Sequence, residues 1–472
     1  MSMAACELGE EVAGSLAELA DAEHLSVLLG AGASMAAGLP GWDELAVRLL
    51  SLAGAIEDAA TARAYLAGQD PALAAEAARA VSDDWNMVVR EALYGTEGAA
   101  LYPHALHLAV ANVAATRRQG VSLLTLNLDD LLEEALRDVL DDLEREERVM
   151  SRTAAAPRAG ANAYEVHHLH GLLPRADDAQ PSGLVLTLSD FNQLATIAHP
   201  WQVGALGEAM SRGPLVLAGT TYRDADIRQW LHAIRQQLES QGGSVVALLA
   251  REGLGLSRRQ FAGVADAVRQ QWRSIGIDAL LLQDHSDAAQ ILRELPAFRA
   301  DGYQLPRHRA AELWEQQVAD FSSVQVRHSE LLDADRDALP AQAGHASDLT
   351  LWLADGSSEL VRWASHDRVY RSSAKLRRVP LGHDSPWAAA RAMAQSEVLV
   401  DAMQTRPEGS RRWRTVIAAP ITMALPGGPN LVVGAVSAGT TAVLDGKEET
   451  EWRTALADLV EEWADRLARP IQ

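Results

Sequence analysis

The sequence predicts an α/β architecture: a doubly wound, mostly parallel sheet with a helical insertion, followed by a separate α+β domain. Three observations carry this reading. Up to about Pro296, short apolar runs alternate with helical patterns, as a sheet with helical crossovers requires. Several of the runs are apolar almost without a break, which suits strands buried on both faces. From Asp348 onward the pattern changes to paired strands around tight turns.

The strand candidates of the first part are His24–Leu29, Val121–Asn127, Leu184–Leu188, Leu215–Ala218, Ser244–Ala250 and Ile277–Leu282. The interval between the first two is Ala-rich and helical in pattern, and reads as an insertion or lid. The charged segment Glu144–Gly160 reads as a mobile loop. Gln304–Pro340 is polar, with helical spacing around Leu313, Trp314, Val318 and Phe321, and reads as a connector helix. Leu349–Leu353 and Leu360–Ala364 flank Asp355-Gly356, a hairpin signal. Pro386–Met403 reads as helical. Thr415–Met423 and Leu431–Ser437 form a second antiparallel pair, and Glu448–Ala468 a closing amphipathic helix. The expected domains are residues 1–296, a helical connector over 297–345, and 346–472.

Composition narrows the function classes. At 472 residues the chain is too long for one ordinary core. Its formal net charge is −22. That argues against direct nucleic-acid binding, which relies on Lys and Arg, and against an anionic membrane surface. Cys6 is the single cysteine, so no disulfide framework or multi-cysteine zinc site can be built within the chain. Cytoplasmic residence fits this best, and no metal is expected. The start, MSMAACELGEEVAG, lacks a basic segment followed by an apolar one, so no secretory signal is expected. No stretch gives roughly 18 clean apolar residues, so no membrane span is expected.

The most informative stretch is HLSVLLGAGASMAAGLPGWDEL, His24–Leu45. An apolar run ends in Gly30-Ala31-Gly32-Ala33-Ser34, and a helix-compatible segment follows. Glycines allow close backbone approach to an anion or a positive φ, and a helix N-terminus offers free N–H groups to phosphate. A merely tight strand-to-helix turn is the alternative. A dinucleotide fingerprint would need a third glycine where Met35 stands, and no acidic residue follows at the expected distance, so hydride transfer is disfavoured. No lysine-bearing phosphate loop is present, and Ser34 is not in a nucleophile elbow.

Three further strand ends carry polar groups. Thr125-Leu126-Asn127-Leu128-Asp129-Asp130 closes an apolar run, at the edge where open α/β sheets bind ligands. Asn127 suits a sugar hydroxyl or an attacking water; either Asn127 or Asp129 also suits a helix cap. In Val166-His167-His168-Leu169-His170-Gly171 an extended chain would put His168 and His170 on one face. Metal binding, a structural histidine, and a general base at His170 remain open. In Leu217–Asp226 a strand runs into Gly219-Thr220, with Asp224 or Asp226 as helix caps.

In this order the elements resemble the sirtuin-like (Sir-two-like) family, in particular its branch in bacterial antiphage NAD-depleting proteins. The matching stretches are GAGAS with GLPGW, LLTLNLDDLLEEAL, VHHLHG, LVLTLSDF and LAGTTYRDADI, over about Leu25–Leu292. The resemblance implies a Rossmann-like fold and NAD held at Gly30, Ala31, Gly32 and Ser34, with Pro40, Trp42 and Thr125 in the same site. It places Asn127 and His170 at the nicotinamide ribose, and Gly219, Thr220, Asp284 and His285 near the adenosine half. Asp129 is assigned to favour developing positive charge. Protein deacylases of the family carry a four-cysteine zinc module that this chain cannot supply. The expectation is therefore NAD hydrolysis, with deacylation, ADP-ribosyl transfer or a non-catalytic NAD or ADP-ribose sensor as alternatives.

Asp348–Gln472 resembles a GAF domain in its pattern of strands and helices, which implies a sensor or dimerisation module. A homo-oligomer is expected, and a small-molecule or phage-derived trigger acting through this domain.

Overall fold

The structure, a computed structural model, describes residues 10–95, 101–160, 162–176, 179–220, 225–238, 243–340, 347–402 and 413–469. The chain divides into two compact units. One is built chiefly from Asp21–Leu254 with Ala262–Leu281, the other chiefly from Leu282 onward with Gly255–Phe261. No helix among the described residues is long and apolar enough to cross a membrane.

The first unit is organised by strands β1 (Leu25–Leu29), β2 (Val121–Thr125), β3 (Arg148–Arg152), β4 (Ala163–His168), β5 (Leu215–Ala218), β6 (Val245–Ala250) and β7 (Asp278–Leu282). They form one sheet in the order β3-β4-β2-β1-β5-β6-β7. β1 pairs in parallel with β2 on one side and β5 on the other; β2–β4, β3–β4 and β5–β6 are parallel too. The chain builds outward from β1 through β2, then returns to the other side with β5. Ligands in open α/β sheets bind beyond the carboxyl ends of strands at such a reversal.

Register brings the strand ends level. Leu29 pairs with Thr125 and with Ala218, and Thr125 pairs with His168. Gly30, Asn127, His170 and Gly219 therefore all lie just past one edge of the sheet. β1, β5 and β6 are buried along their whole length, which is why they read as continuous apolar runs.

Four sequence expectations are corrected. Leu184–Leu188 is not a strand: Thr187 caps the helix Leu188–Thr196 in a capping box with Asp190, and that local bonding wins over the apolar alternation. Glu144–Gly160 contains β3, whose half-exposed residues hid it among charges. Its neighbour β4 alternates between buried and half-buried positions. β4 ends at His168, so the extended chain does not continue to His170. Pro386–Met403 is helical only over Ala388–Gln395; Ser396 then turns the chain at φ +57.

The interval between β1 and β2 holds the expected helices, including Trp42–Leu52, Ala59–Leu66, Pro71–Val81, Trp85–Tyr94 and Ala105–Arg117. Asp58, Asp70 and Asp84 cap three of them by accepting backbone N–H bonds, each worth about 1 kcal/mol. Their apolar faces share a core with Leu128, Leu173 and Leu186, so the insertion is packed around the end of β2.

The second unit holds strands β8 (Ser347–Ala354), β9 (Glu359–Ser365), β10 (Arg378–Pro380), β11 (Leu399–Ala402), β12 (Thr415–Met423) and β13 (Leu431–Thr440). They form an antiparallel sheet in the order β10-β9-β8-β13-β12-β11. Strand periodicity splits its residues between two cores. Leu349, Leu351, Leu353 and Trp363 pack with the helices Pro306–Ala319, Phe321–Ala338 and Gly446–Ala468. Trp352, Ala418 and Ala435 pack with Ala388–Gln395. The region read as a connector is thus two helices that share the sheet's core.

Trp363 anchors that core. It is fully buried, meets Trp314 and Phe321 edge-on at 5.2 and 5.5 Å, and donates its indole N–H to His328 Nδ1 at 2.8 Å. Trp363→Ala is expected to cost about 3–5 kcal/mol and to leave His328 unsatisfied. Denaturant unfolding checks this; a loss below about 1 kcal/mol would show that the helices are not held by this ring.

Candidate active site

The glycine turn is shaped by its neighbour loop. A Cβ on Gly30 would lie 2.8 Å from both Gly219 O and Thr220 Cβ, and one on Gly219 would lie 2.8 Å from Ala33 N. Gly219 also sits at φ +67, where a side chain is strained. The loops are stitched by Gly30 N–H to Ala218 O at 2.9 Å and Gly32 N–H to Gly219 O at 2.7 Å. This corrects the expected free phosphate cradle. The N–H groups of Gly30, Gly32, Ala33, Ser34 and Met35 are all spent on backbone carbonyls. The helix that follows is only the turn Gly32–Met35. Within Gly30–Ser34, Ala31 N–H is the one donor without a partner among the described residues.

Beyond the edge of the sheet lies a solvent-open cleft of about 680 Å³. Its walls are mostly apolar, with Leu39, Pro40, Trp42 and Phe191 among them, and its polar groups come from Ser34, Asn127, Asp129 and His170. A few polar groups among apolar walls is the usual make-up of a small-molecule site. Thr125 is buried just behind: its hydroxyl accepts the Asn127 N–H at 3.0 Å and donates to Leu29 O at 3.3 Å.

Asn127 is held from two directions. Its Nδ2 donates to Ser34 Oγ at 2.8 Å, and its main-chain carbonyl accepts from His168 Nδ1 at 3.1 Å. His168 Nε2 meets Glu133 Oε1 at 2.7 Å, with both side chains fully buried. A carbonyl and a carboxylate can only accept. Both ring nitrogens therefore carry protons, and His168 is an imidazolium. Burial pulls its pKa down, but the Glu133 hydrogen bond and charge outweigh this and hold it above the ordinary value. Burial pushes Glu133 up, and the bond and charge of His168, with Ser151, hold it below the carboxylate range.

Ser34 is the second junction. His107 Nδ1 accepts the His104 N–H at 3.2 Å, and burial drives the His107 pKa down to about 3. His107 is therefore neutral with its proton on Nε2, which donates to Ser34 Oγ at 3.4 Å. With Asn127 and His107 both donating, the Ser34 proton is directed to Asp129, whose carboxyl it helps to hold down. Burial is the larger influence and raises Asp129. Asp129 also accepts Leu131 N–H at 3.2 Å, one residue ahead of the cap position, which Asp130 holds without a side-chain capping bond. With Nδ2 engaged, Asn127 is left with Oδ1, which is buried and has no hydrogen-bond partner among the described residues.

His170 stands apart from His168. Its ring meets Phe191 edge-on at 5.6 Å and Trp230 at 6.1 Å. Burial lowers its pKa to about 4, so it is neutral and able to accept a proton at pH 7. Its carbonyl accepts Val185 N–H at 2.9 Å, which ties the misread Leu184–Leu188 segment to the cleft wall.

The structure thus brings Ala31, Ser34, Pro40, Trp42, Asn127, Asp129 and His170 to one cleft, with Gly30, Gly32, Thr125, Gly219 and Thr220 packed beside it. Asp284 and His285 belong to the other compact unit, where they open the helix His285–Glu294, with Asp284 in its capping box. Asp224 and the side chain of Asp226, expected as caps, lie outside the described residues, as does Cys6. Sequence reasoning missed His107, Glu133, Phe191 and Trp230. Glu133 left a readable signal: it falls at helical spacing with Leu136 and Leu140, on the apolar stripe of Leu131–Asp142.

Comparison with known proteins gives a family match for part of this unit. Residues 121–280 match the model of the SIR2-like domain. That span includes Asn127, Asp129, His170, Gly219 and Thr220 and excludes the glycine turn. A solved structure described as a SIR2 homolog–NAD complex aligns at 16% identity and a TM-score of 0.33, over 61% of this chain and 93% of its own. No curated protein matches the chain in sequence.

The buried Glu133–His168 pair has a definite pH signature. His168, raised above its ordinary 6.5, contributes stability that is complete below that value and is lost as pH rises through the raised pKa. Glu133, held below its ordinary 4.5, contributes above that value and loses it as pH falls. Between them the pair is strongest, and Glu133→Gln is expected to cost about 3–5 kcal/mol there. The difference in unfolding free energy from wild type should shrink as pH rises through the raised His168 pKa. A pH-independent difference would contradict the imidazolium.

Proposed function

We propose that the cleft cleaves the nicotinamide–ribose bond of NAD and passes the ribose to water, giving nicotinamide and ADP-ribose. The observation that carries this reading is the Asn127 carboxamide: Nδ2 is locked on Ser34, while Oδ1 is buried without a hydrogen-bond partner among the described residues, in a residue that lines the same cleft as the neutral His170. The partial match of residues 121–280 to a SIR2-like domain supports the same reading.

The chemistry asks little of an acid. When the C1′–N bond breaks, its electron pair leaves with nicotinamide and neutralises the pyridinium ring. The sugar passes through an oxocarbenium-like state, and a water oxygen bonds to C1′. In this reading Asn127 Oδ1 accepts a hydrogen bond from a ribose hydroxyl or the attacking water and fixes its position. His170 takes the proton that the water gives up. Asp129, on the same wall, favours the positive charge at the sugar in its ionised form. Pro40, Trp42 and Phe191 keep bulk solvent from the reacting carbon. Gly30, Gly32, Gly219 and Thr220 supply the backbone floor, with Ala31 N–H as the donor left for a phosphate oxygen. Depletion of NAD by such a reaction would serve an antiphage effector, and the C-terminal unit is the natural seat of control over it.

Nicotinamide release from NAD by the full chain tests this. Asn127→Ala and His170→Ala are each expected to lower turnover about 10²-fold or more. Release by both variants at the wild-type rate would overturn the assignment. Release that requires an acyl-peptide would mark a deacylase, and NAD binding without release a sensor.

The pH profile is a separate check. With His170 near 4, turnover should stay level from about pH 8 down to about pH 6. An inflection near 6.5 would exclude His170, in its present surroundings, as the proton acceptor.

A further inference from the structure

Strands β1, β2, β4 and β5 run parallel, so their amino ends share one edge of the sheet, opposite the edge that holds the cleft. The segments that lead into these strands carry His24, Arg118, Arg158 and Arg212. The strands are neighbours in the order β4-β2-β1-β5. The topology therefore gathers three arginines that lie far apart in sequence. Arg118, Arg158 and Arg212 line one solvent-open cavity of about 540 Å³, with Ser122, Glu165 and His167 among its other walls. In a chain of net charge −22, three arginines in one cavity run against the average.

The charge in this cavity is not balanced. Glu165, in the wall, is already engaged: it accepts from Arg152 Nε at 2.6 Å and from Ala159 N–H at 3.1 Å. Glu208 pairs with Arg158 at 2.5 Å. Arg118 and Arg212 are exposed and have no hydrogen bond or ion pair among the described residues. Their crowding is felt by their neighbours. Burial, and then Arg158, lowers the Arg212 pKa, and Glu208 offsets only part of this. His24, bonded to the wall residue Ser122 at 2.9 Å, is pushed down to about 4, first by burial and then by Arg212, Arg158 and Arg117. Like charges gathered this way favour an anion between them. Guanidinium forks match the oxygens of phosphate groups in particular. Arg118 also stands at φ +53, a strained setting of the kind found at binding sites.

We propose that this cavity binds an oligophosphate anion, a di- or triphosphate that is either free or the tail of a nucleotide. Its oxygens take the guanidinium groups of Arg118, Arg158 and Arg212. A single phosphate is too small to engage three arginines from three separate strand entries, whereas linked phosphates reach from one to the next. The site lies at the opposite edge of the sheet from the cleft and does not depend on the NAD reading.

Calorimetric titration of the full chain with tripolyphosphate and with ATP, in about 0.15 M salt, tests it. Saturable binding of tripolyphosphate is expected, with orthophosphate at least about tenfold weaker. ATP binding of similar strength supports recognition of the phosphates alone, and tighter ATP binding supports a nucleotide. Arg118→Gln and Arg212→Gln should each weaken tripolyphosphate about tenfold. Arg259→Gln, which removes an exposed arginine of the other unit, should not, and Asn127→Ala should leave binding unchanged. Circular dichroism on each variant separates lost binding from lost folding. The proposal is overturned if tripolyphosphate does not bind at millimolar concentration, if orthophosphate binds as well, if Arg259→Gln or Asn127→Ala weakens binding as much as the cavity variants, or if a folded Arg118→Gln, Arg212→Gln double variant binds like wild type.

Discussion

A buried imidazolium–carboxylate pair fixes the site. Glu133 holds both protons on His168, and His168 in turn donates to the main-chain carbonyl of Asn127. Taking two charges out of water is costly, and only close geometry with further hydrogen bonds offsets it. Here Ser151 supplies one such bond to Glu133. The pair does not face the cleft. Its effect is to hold the loop after β2 in place, with the Asn127 side chain on Ser34. The apolar rings around His170 act in the opposite sense and keep that histidine neutral. Two histidines separated by one residue are thus given different charges by their surroundings.

The glycine turn takes a different meaning once its contacts are counted. Gly30 and Gly219 are small because two loops of adjacent strands interpenetrate, and their backbone groups are mostly spent on one another. The turn is a rigid joint first. It holds Ala31 and Ser34 at a fixed height above the carboxyl ends of β1 and β2, where Ser34 couples Asn127, His107 and Asp129.

What could be read from the sequence follows burial. β1, β5 and β6 were legible because both faces are covered and their residues are uniformly apolar. β3 and β4 were not, because half-exposed strands admit Arg, Glu and His, and Leu184–Leu188 was misread because a capping box competes with apolar alternation. Asn127 and His170 were legible as polar residues following apolar or extended runs. Their supports were not. His107 lies within an apolar helix, and Phe191 and Trp230 are brought beside His170 only by the fold. In the second unit the hairpins stood out through their turns, whereas β10 and β11 are too short to carry a pattern. The packing of Pro306–Ala319 and Phe321–Ala338 onto the sheet emerges only from shared contacts.

The central claim is that Asn127 is a preset acceptor, its Nδ2 held on Ser34 and its buried Oδ1 left without a hydrogen-bond partner among the described residues. A crystal structure with a non-hydrolysable NAD analogue tests it most directly. Asn127 Nδ2 should remain on Ser34, with Oδ1 accepting a hydrogen bond from a ribose hydroxyl or a water beside C1′. An analogue bound away from this cleft, or one that leaves Asn127 Oδ1 turned toward the protein, would contradict the account.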